Sequence, residues 1–215
     1  MIHSLRLKIA LLLLCASLAG ACAFSVPPLE RPEGSSLAVA GFTNPQNTWE
    51  LLAGCLPEQC ELVEERVLNR LDLAFEGALR DAGKDFVPEP AASQCRERIS
   101  LERTEGQRMP ALRYWLQVGS CIPADYLLVP QLIFYSERRG GDWGAEEPAS
   151  VIMDFFLLDV RNRTILRRYR FEETQQPLSE NLLEVGKFVS RGGKWVSAEE
   201  LALEGIEQAI KELGL

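Results

Sequence analysis

The stretch DYLLVPQLIFYSE, residues 125–137, is followed by VIMDFFLLDV, residues 151–160, and TILRRYRF, residues 164–171. All three are rich in the branched and aromatic residues that favour strands, and turn residues separate them. They therefore predict a meander of three strands, of which the nearly apolar second one is central. Pro130 has no N–H for a ladder hydrogen bond, so we expect a bulge or a sheet edge there.

Helices and two shorter strands are predicted around this meander. The elements are a buried strand at 37–42, a long amphipathic helix at 61–80, a weak strand at 85–92, a helix at 110–119, and two helices after the meander, at 182–189 and 197–213. A capping box from Ser197 to Glu200 marks the start of the last helix. This order predicts an α/β (α+β) sandwich, with a mixed sheet of about four to five strands and helices packed on it.

The first 21 residues have the pattern of an export signal. Arg6 and Lys8 precede a short apolar run, and small residues lead to Cys22. The ending Ala19-Gly20-Ala21-Cys22 resembles a bacterial lipobox, in which the cysteine is acylated and becomes the mature N-terminus. The alternative is an ordinary signal peptide that leaves Cys22 as a free thiol. We expect acylation, which gives stable membrane attachment when several acyl chains are buried.

The predicted domain organisation follows from this signal. Residues 22–36 contain three prolines and a glycine and are expected to form a flexible tether. Residues 37–215 are expected to form a single α/β domain facing the periplasm. Ala23 stands where enteric sorting rules place aspartate for inner-membrane retention, so the resemblance implies the outer membrane.

Composition excludes several classes of function. The chain has a net charge of −8, which becomes more negative once the two basic residues of the signal are removed. An acidic chain is a poor nucleic-acid binder, because phosphate contacts need basic residues. The single histidine, His3, lies in the signal, so the mature chain has neither histidine-dependent nucleophiles nor histidine metal sites. No cofactor and no metal are expected.

The cysteines predict disulfides. If Cys22 is acylated, Cys55, Cys60, Cys95 and Cys121 remain, an even number in an exported chain. Three pairings are open, and we favour Cys55–Cys60 with Cys95–Cys121, because each pair closes one local loop. A four-cysteine zinc site is the alternative, but the spacings differ from paired C-x-x-C motifs.

Charged residues give two further hypotheses. Three acidic clusters, at 142–147, 172–173 and 199–200, are interpreted as solvated loops and helix starts rather than as the carboxylate pair of a hydrolase. Asp154 lies within an apolar strand and needs a partner if it is buried; Arg167 is the candidate for a structural ion pair.

A basic patch follows the second strand of the meander, and it is our candidate binding surface. Its arginines, together with an aromatic residue of the preceding loop that is a candidate interface anchor, are Arg161, Arg163, Arg167, Arg168, Arg170 and Trp143. The arginines form either a solvated hairpin edge or a docking surface for an acidic partner.

Several short motifs resemble a known group of domains. These are Val39-Ala40-Gly41-Phe42 before a long amphipathic helix, the strand from Ala124 to Val129, and the strand end from Phe156 to Val160. The pattern resembles the α/β domain of bacterial envelope proteins such as the amino-terminal domain of TolB, CsgG and LpoB. The resemblance implies scaffolding, docking or assembly rather than catalysis. Pro130 departs from the pattern, since relatives often have glycine there.

The sequence thus predicts a non-catalytic, lipid-anchored periplasmic protein that acts as an accessory or assembly factor of the outer membrane. Its expected partners are the membrane, through the lipid, and another envelope protein. A module that binds peptidoglycan or a small ligand is the alternative. A hydrolase that uses carboxylates alone is the least favoured hypothesis.

Overall fold

The computed structural model describes residues 34–57, 62–101, 108–141, 144–175 and 195–215. The predicted export signal and Cys22 lie outside these ranges, as do Cys60, Trp143 and the predicted helix at 182–189. The described strands are β1 Leu37–Val39, β2 Tyr126–Ser136, β3 Arg139–Gly141, β4 Gly144–Glu147, β5 Ser150–Asp159 and β6 Thr164–Thr174. The described α-helices are α1 Glu65–Asp81, α2 Glu89–Leu101, α3 Ala111–Cys121 and α4 Ala198–Glu212, and a short 3-10 helix spans Thr48–Glu50.

The main sheet has four strands in the order β1-β2-β5-β6. β1 pairs in parallel with β2, and the other two pairings are antiparallel, so the sheet is mixed, as predicted. β3 and β4 form a separate two-stranded ribbon within the region expected to be a loop. The predicted meander is therefore β2, β5 and β6, and α4 follows it.

Helices cover both faces of this sheet. α1 and α4 pack on one face, where Leu71, Phe75 and Ile206 meet strand residues such as Leu128 and Phe155. α2 and α3 pack on the other face through a second apolar cluster that includes Cys95, Trp115, Leu127, Phe156 and Leu158. Alternate residues of the central strands therefore enter two different cores, which explains why their sequences are apolar throughout.

The last helix begins as the sequence predicts. The Ser197 hydroxyl accepts a hydrogen bond from the Glu200 N–H at 3.1 Å, and the Glu200 carboxylate accepts one from the Ser197 N–H at 2.7 Å. These two bonds form the capping box. Val196, just before the cap, and Leu201, in the first turn, are both buried.

Helix α2 was not predicted, because the prolines near its start were interpreted as breaks in a strand. Residues 85–92 were expected to form a weak strand, but Val87 makes only an isolated bridge to β1, and α2 begins two residues later. Pro90 lies in the first turn of α2, where a helix tolerates proline because that N–H has no intrahelical partner. The prolines mark a helix start here and do not break a strand.

The Pro130 expectation is partly met. Pro130 pairs with Phe155 inside the sheet, and the bulge of β2 lies beyond it, between Leu132 and Phe134. The Pro130 carbonyl accepts from the Thr43 N–H at 3.3 Å, on the side where the ladder of β1 has already ended. The missing N–H therefore falls where no regular strand needs it.

Candidate functional site

The carboxyl end of β1 opens into two adjoining clefts, which we call together the β1 cleft. A polar compartment of about 720 Å³ lies between α1 and α2, and a smaller compartment of about 350 Å³ lies towards α3 and the loop after β1. The residues that line both are Phe42, Leu68, Arg96 and Tyr114. β1 ends at Val39, and Gly41 and Phe42 line the polar compartment before Thr43 bonds again to β2.

Asp72 of α1 lines the polar compartment. Its Oδ1 accepts a hydrogen bond from the Phe42 N–H at 2.5 Å, which fixes the carboxylate over the chain that leaves β1. A Cβ on Gly41 would lie 3.1 Å from Asp72 Oδ2 and 2.7 Å from Glu89 Cγ. Gly41 thus lets the backbone approach both acidic side chains closely.

The environment of Asp72 favours its neutral form. Burial raises the pKa of Asp72 to about 7, although the hydrogen bond from Phe42 acts in the opposite direction. Among the neighbouring charges, Glu89 and Glu76 raise this pKa further, and Arg96 lowers it. A carboxyl group that is half ionised near neutrality in a cleft is typical of functional sites.

Glu76, by contrast, has a structural role. It is buried, and its carboxylate accepts from the backbone N–H of Glu89 at 2.8 Å and from Arg80 at 2.5 Å. The bond to Glu89 caps the N-terminus of α2 and so holds the start of that helix against α1.

The charged groups that line the polar compartment form no ion pair or hydrogen bond with a described side chain. They are Asp72 Oδ2, the carboxylates of Glu65, Glu89 and Glu97, and the Arg96 guanidinium. Arg96 instead lies over the Trp115 ring, with Cζ 5.5 Å from the ring centre. In the described part of the chain, the cleft therefore presents both signs of charge that are not paired with one another.

The smaller compartment is aromatic and partly apolar. Trp49 is exposed at its rim, and the Arg108 guanidinium lies 4.4 Å from the centre of its ring. The buried Gln131 side chain holds this rim in place: it donates to the Glu50 carbonyl at 2.8 Å and accepts from the Leu52 N–H at 3.1 Å. One buried amide thus attaches the loop after β1 to the sheet.

The predicted basic patch is mostly used within the protein. Arg161 pairs with Asp125 at 3.0 Å, and Arg167 donates to the Leu213 carbonyl at 2.8 Å. Arg168 and Arg170 both bind Asp154, while Arg163 is exposed in the turn at 161–163. That turn is present as predicted, but Arg163 and not Asn162 adopts the left-handed conformation, with φ of 58°. Docking by this surface stays a prediction, and Arg163 is the arginine of the patch with no intramolecular bond in the described part of the chain.

The predicted partner of Asp154 was wrong. Asp154 is fully buried; Oδ1 accepts from Arg168 at 2.8 Å and Oδ2 from Arg170 at 2.9 Å. A bulge pairs Leu157 with Arg167 and Leu158 with Ile165, so Arg167 points to the opposite face. The ion pair is structural, as expected, but it has two arginines.

The acidic clusters predicted as solvated groups lie away from the β1 cleft. In the described ranges, Glu147 pairs with Arg139, Glu172 with Arg170, and Glu199 with Arg70, while Glu200 caps α4. The two carboxylates that do share a cleft, Asp72 and Glu89, were not singled out from the sequence. One signal was present: Asp72 is four residues after Leu68 and three before Phe75, on the flank of the apolar stripe, whereas Leu73 is exposed.

The cysteines agree in part with the predicted pairing. Cys95 and Cys121 form a disulfide that joins α2 to α3, with their Cα atoms 5.9 Å apart. Cys55 is exposed and unpaired within the described residues, and Cys60 lies outside them, so the Cys55–Cys60 pairing stays a prediction.

No group of three or more metal-ligating side chains occurs in the described ranges. None of the helices described here is long and apolar enough to cross a membrane.

Comparison with known proteins shows likeness of fold alone. The sequence matches no protein-family model and no curated protein significantly. Among 28 similar solved chains, the PelC dodecamer from Paraburkholderia phytofirmans has a TM-score of 0.46 at 14% identity, over 88% of this chain and 94% of that one. Lipoprotein GNA1162 from Neisseria meningitidis (16% identity, 74% and 98% coverage) and the LpoB C-terminal domain from Salmonella enterica (14%, 74% and 92%) both have TM-scores of 0.39. At these values the likenesses identify neither a function nor a partner for this chain.

Proposed function

We propose that this chain is a lipid-anchored accessory protein of the bacterial cell envelope, which acts by binding another envelope protein and not by catalysis. The observation that carries the proposal is the sequence ending Ala19-Gly20-Ala21-Cys22 after an apolar export signal. A tether and a folded α/β domain follow it, which is the arrangement of a protein held at a membrane surface.

The described residues support the non-catalytic part of this proposal. The mature chain has no histidine, and the buried charged groups Asp154 and Glu76 are saturated by partners within the fold. Asp72 and Glu89 share a cleft, but no nucleophile activated by a neighbouring base lies among the residues that line it. The groups therefore suit binding better than covalent chemistry.

The anchor is tested by metabolic labelling with an alkyne-bearing palmitate in the native cells. The wild-type protein is expected to carry the label and to fractionate with membranes, because the lipid that contains the fatty acids is attached at Cys22. Cys22→Ser should lose both properties, and Cys55→Ser is the matched control that should keep them. An unlabelled wild type, or a labelled Cys22→Ser variant, would contradict the anchor.

The protein partner is tested by photo-crosslinking in intact cells. A benzoylphenylalanine placed at Arg163 probes the basic turn, and the same residue placed at Glu207, exposed on α4, probes a control surface. We expect one discrete protein adduct from position 163 that disappears in the Cys22→Ser background. Absence of any protein adduct from both positions would contradict the accessory role.

A further inference from the structure

We propose that the β1 cleft binds a zwitterionic ligand of the amino-acid or short-peptide class, with its ammonium between Asp72 and Glu89, its carboxylate on Arg96 and an apolar side chain in the smaller compartment. This inference does not depend on the lipid anchor. It rests on the arrangement of charge and apolar surface in one cleft.

The first step is the ammonium position. Asp72 Oδ2 and Glu89 Oε1 both lie within 3.2 Å of the place where a Cβ on Gly41 would stand, so both oxygens border the same point of the cleft. Two carboxylate oxygens that converge on one opening, each without a hydrogen bond to a described side chain, offer acceptors to a group with several N–H donors. An ammonium has three such donors and carries the charge that both acids need.

The second step is the carboxylate position. Arg96 lines both compartments, and its charge acts on Asp72, yet the two side chains form no ion pair. The guanidinium lies over the face of Trp115, and none of its N–H groups bonds to a described residue, so they can reach an outside acceptor. A guanidinium binds a carboxylate through two parallel hydrogen bonds, so Arg96 suits the acidic end of the ligand.

The third step is the apolar compartment. Phe42, Leu68, Met109 and the rings of Trp49 and Tyr114 line it, and its volume of about 350 Å³ admits one apolar side chain with room to spare. It opens beside Arg96, so one molecule can reach the charged groups and the aromatic rim together.

The charge balance of the cleft sets the sign of the pH dependence. The charged groups around Asp72 are Glu65 and Glu76 of α1, Glu89, Arg96 and Glu97 of α2, and the ionised ligand itself. A cationic group beside Asp72 favours its ionised form, so binding of the ligand should release a proton below pH 7. Binding should therefore strengthen as pH rises from about 5 to about 8.

The test is calorimetric titration of the full protein, purified as the cells produce it, with three probes. L-leucine has both charged ends, leucinamide lacks the carboxylate, and 4-methylpentanoate lacks the ammonium. We expect leucine to bind most tightly and each single-ended probe to bind at least tenfold more weakly. D-leucine, L-phenylalanine and leucyl-leucine are also titrated, and they define the preferred chirality, side chain and number of residues of the ligand.

Three variants separate binding from structure. Arg96→Gln should weaken leucine at least tenfold and leave leucinamide nearly unchanged, whereas Asp72→Asn and Glu89→Gln should weaken both. Arg113→Gln, exposed on the same α3 that carries Tyr114, is the control that should change neither. If the wild type binds none of the leucine, phenylalanine and dipeptide probes at millimolar concentration, the proposal is overturned. It is also overturned if Arg96→Gln weakens leucine and leucinamide equally.

Discussion

Asp154 and Asp72 are both carboxylates withdrawn from water, yet the protein treats them differently. Asp154, on β5, is fully buried and receives hydrogen bonds from two guanidiniums, those of Arg168 and Arg170. Asp72, on α1, receives one backbone N–H and no arginine among the described residues, and burial raises its pKa to about 7. The first environment stabilises a charge within the fold, whereas the second leaves a charge incompletely stabilised beside an open cleft.

The loop after β1 connects the two regions. Gly54 of this loop lies beside the guanidiniums of Arg168 and Arg170, and Trp49 forms the rim of the β1 cleft. The Gln131 amide holds the loop between these points. The two regions therefore lie at the two ends of one loop, and a change at one end can be measured at the other.

The largest expected effect is on the Asp154 side. Asp154→Asn should reduce the free energy of unfolding by about 3 kcal/mol, because removal of one partner leaves two partly buried arginines without their carboxylate. Urea unfolding monitored by circular dichroism measures this loss. Asp81→Asn, at the exposed end of α1, is the matched control and should change stability by less than about 0.5 kcal/mol. If Asp154→Asn lowers the free energy of unfolding by less than about 1 kcal/mol, the two guanidiniums are hydrated in the variant and do not need the carboxylate.

A smaller effect is expected where the two regions meet. Gln131→Leu should cost about 2 kcal/mol, because the Glu50 carbonyl and the Leu52 N–H lose their partner beneath the loop. Thermolysin should then cleave near Leu51 and Leu52 faster than in the wild type. Gln208→Leu removes an exposed amide that bonds to Tyr169, and this control should leave the loop protected. Unchanged cleavage in Gln131→Leu would show that the loop is held by apolar packing.

Substitution of Asp72 should raise the free energy of unfolding, unlike the two substitutions above, and the gain should depend on pH. The folded pKa of about 7 lies above the unfolded value of 3.8, so the folded state binds more protons between these values and stability falls as pH rises through them. Asp72→Asn keeps a side-chain oxygen that can accept from the Phe42 N–H, and it removes the fall in stability with rising pH. Because solvent in the cleft screens part of this effect, the variant should gain about 1–2 kcal/mol over the wild type at pH 8 and nothing at pH 3.5. Urea unfolding at both pH values measures it, and a gain that is equal at both would contradict the raised pKa.

The smallest effect is expected at the floor of the cleft. A Cβ on Gly41 would stand 2.7 Å from Glu89 Cγ, but this half-buried side chain can turn outwards, so Gly41→Ala should cost only about 1 kcal/mol in thermal or urea unfolding. Gly77→Ala is the matched control, because no atom lies within 4 Å of its Cβ and α1 should gain about 0.5–1 kcal/mol. A loss above about 3 kcal/mol in Gly41→Ala would show that Glu89 is held rigidly and is not available to a ligand.

The strongly patterned parts of the fold could be predicted from sequence. The apolar runs of β1, β2 and β5, the branched and aromatic residues of β6, the stripe of α1 and the capping box of α4 are local signals, and each predicted the right element. α2 was missed because it buries few side chains, Ala92, Cys95 and Ile99 among them, and its prolines were interpreted as breaks in a strand. Here the tertiary position of a short apolar stripe decides the structure, and no local pattern shows it.

Charged pairs depend on register, which the sequence does not specify. The extra residue Leu166 in β6 moves Arg170 opposite Asp154, and a single residue decides which arginines reach the carboxylate. The β1 cleft depends on three elements that are distant in sequence, since Gly41, Asp72 and Arg96 meet only when β1, α1 and α2 are packed. For this reason the patch with a visible run of arginines was selected from sequence, while the scattered cleft residues were not.

The chain enters the domain at the end that is opposite the β1 cleft. The Ser36 N–H donates to Asp125 Oδ2 at 2.9 Å, and Asp125 also pairs with Arg161, so the chain arrives at the amino end of β1 beside the β5–β6 turn. The β1 cleft opens at the other end of the same strand. With the anchor that we propose, the lipid would be tethered to the end of the domain opposite the cleft, so the point of attachment leaves the mouth of the cleft uncovered.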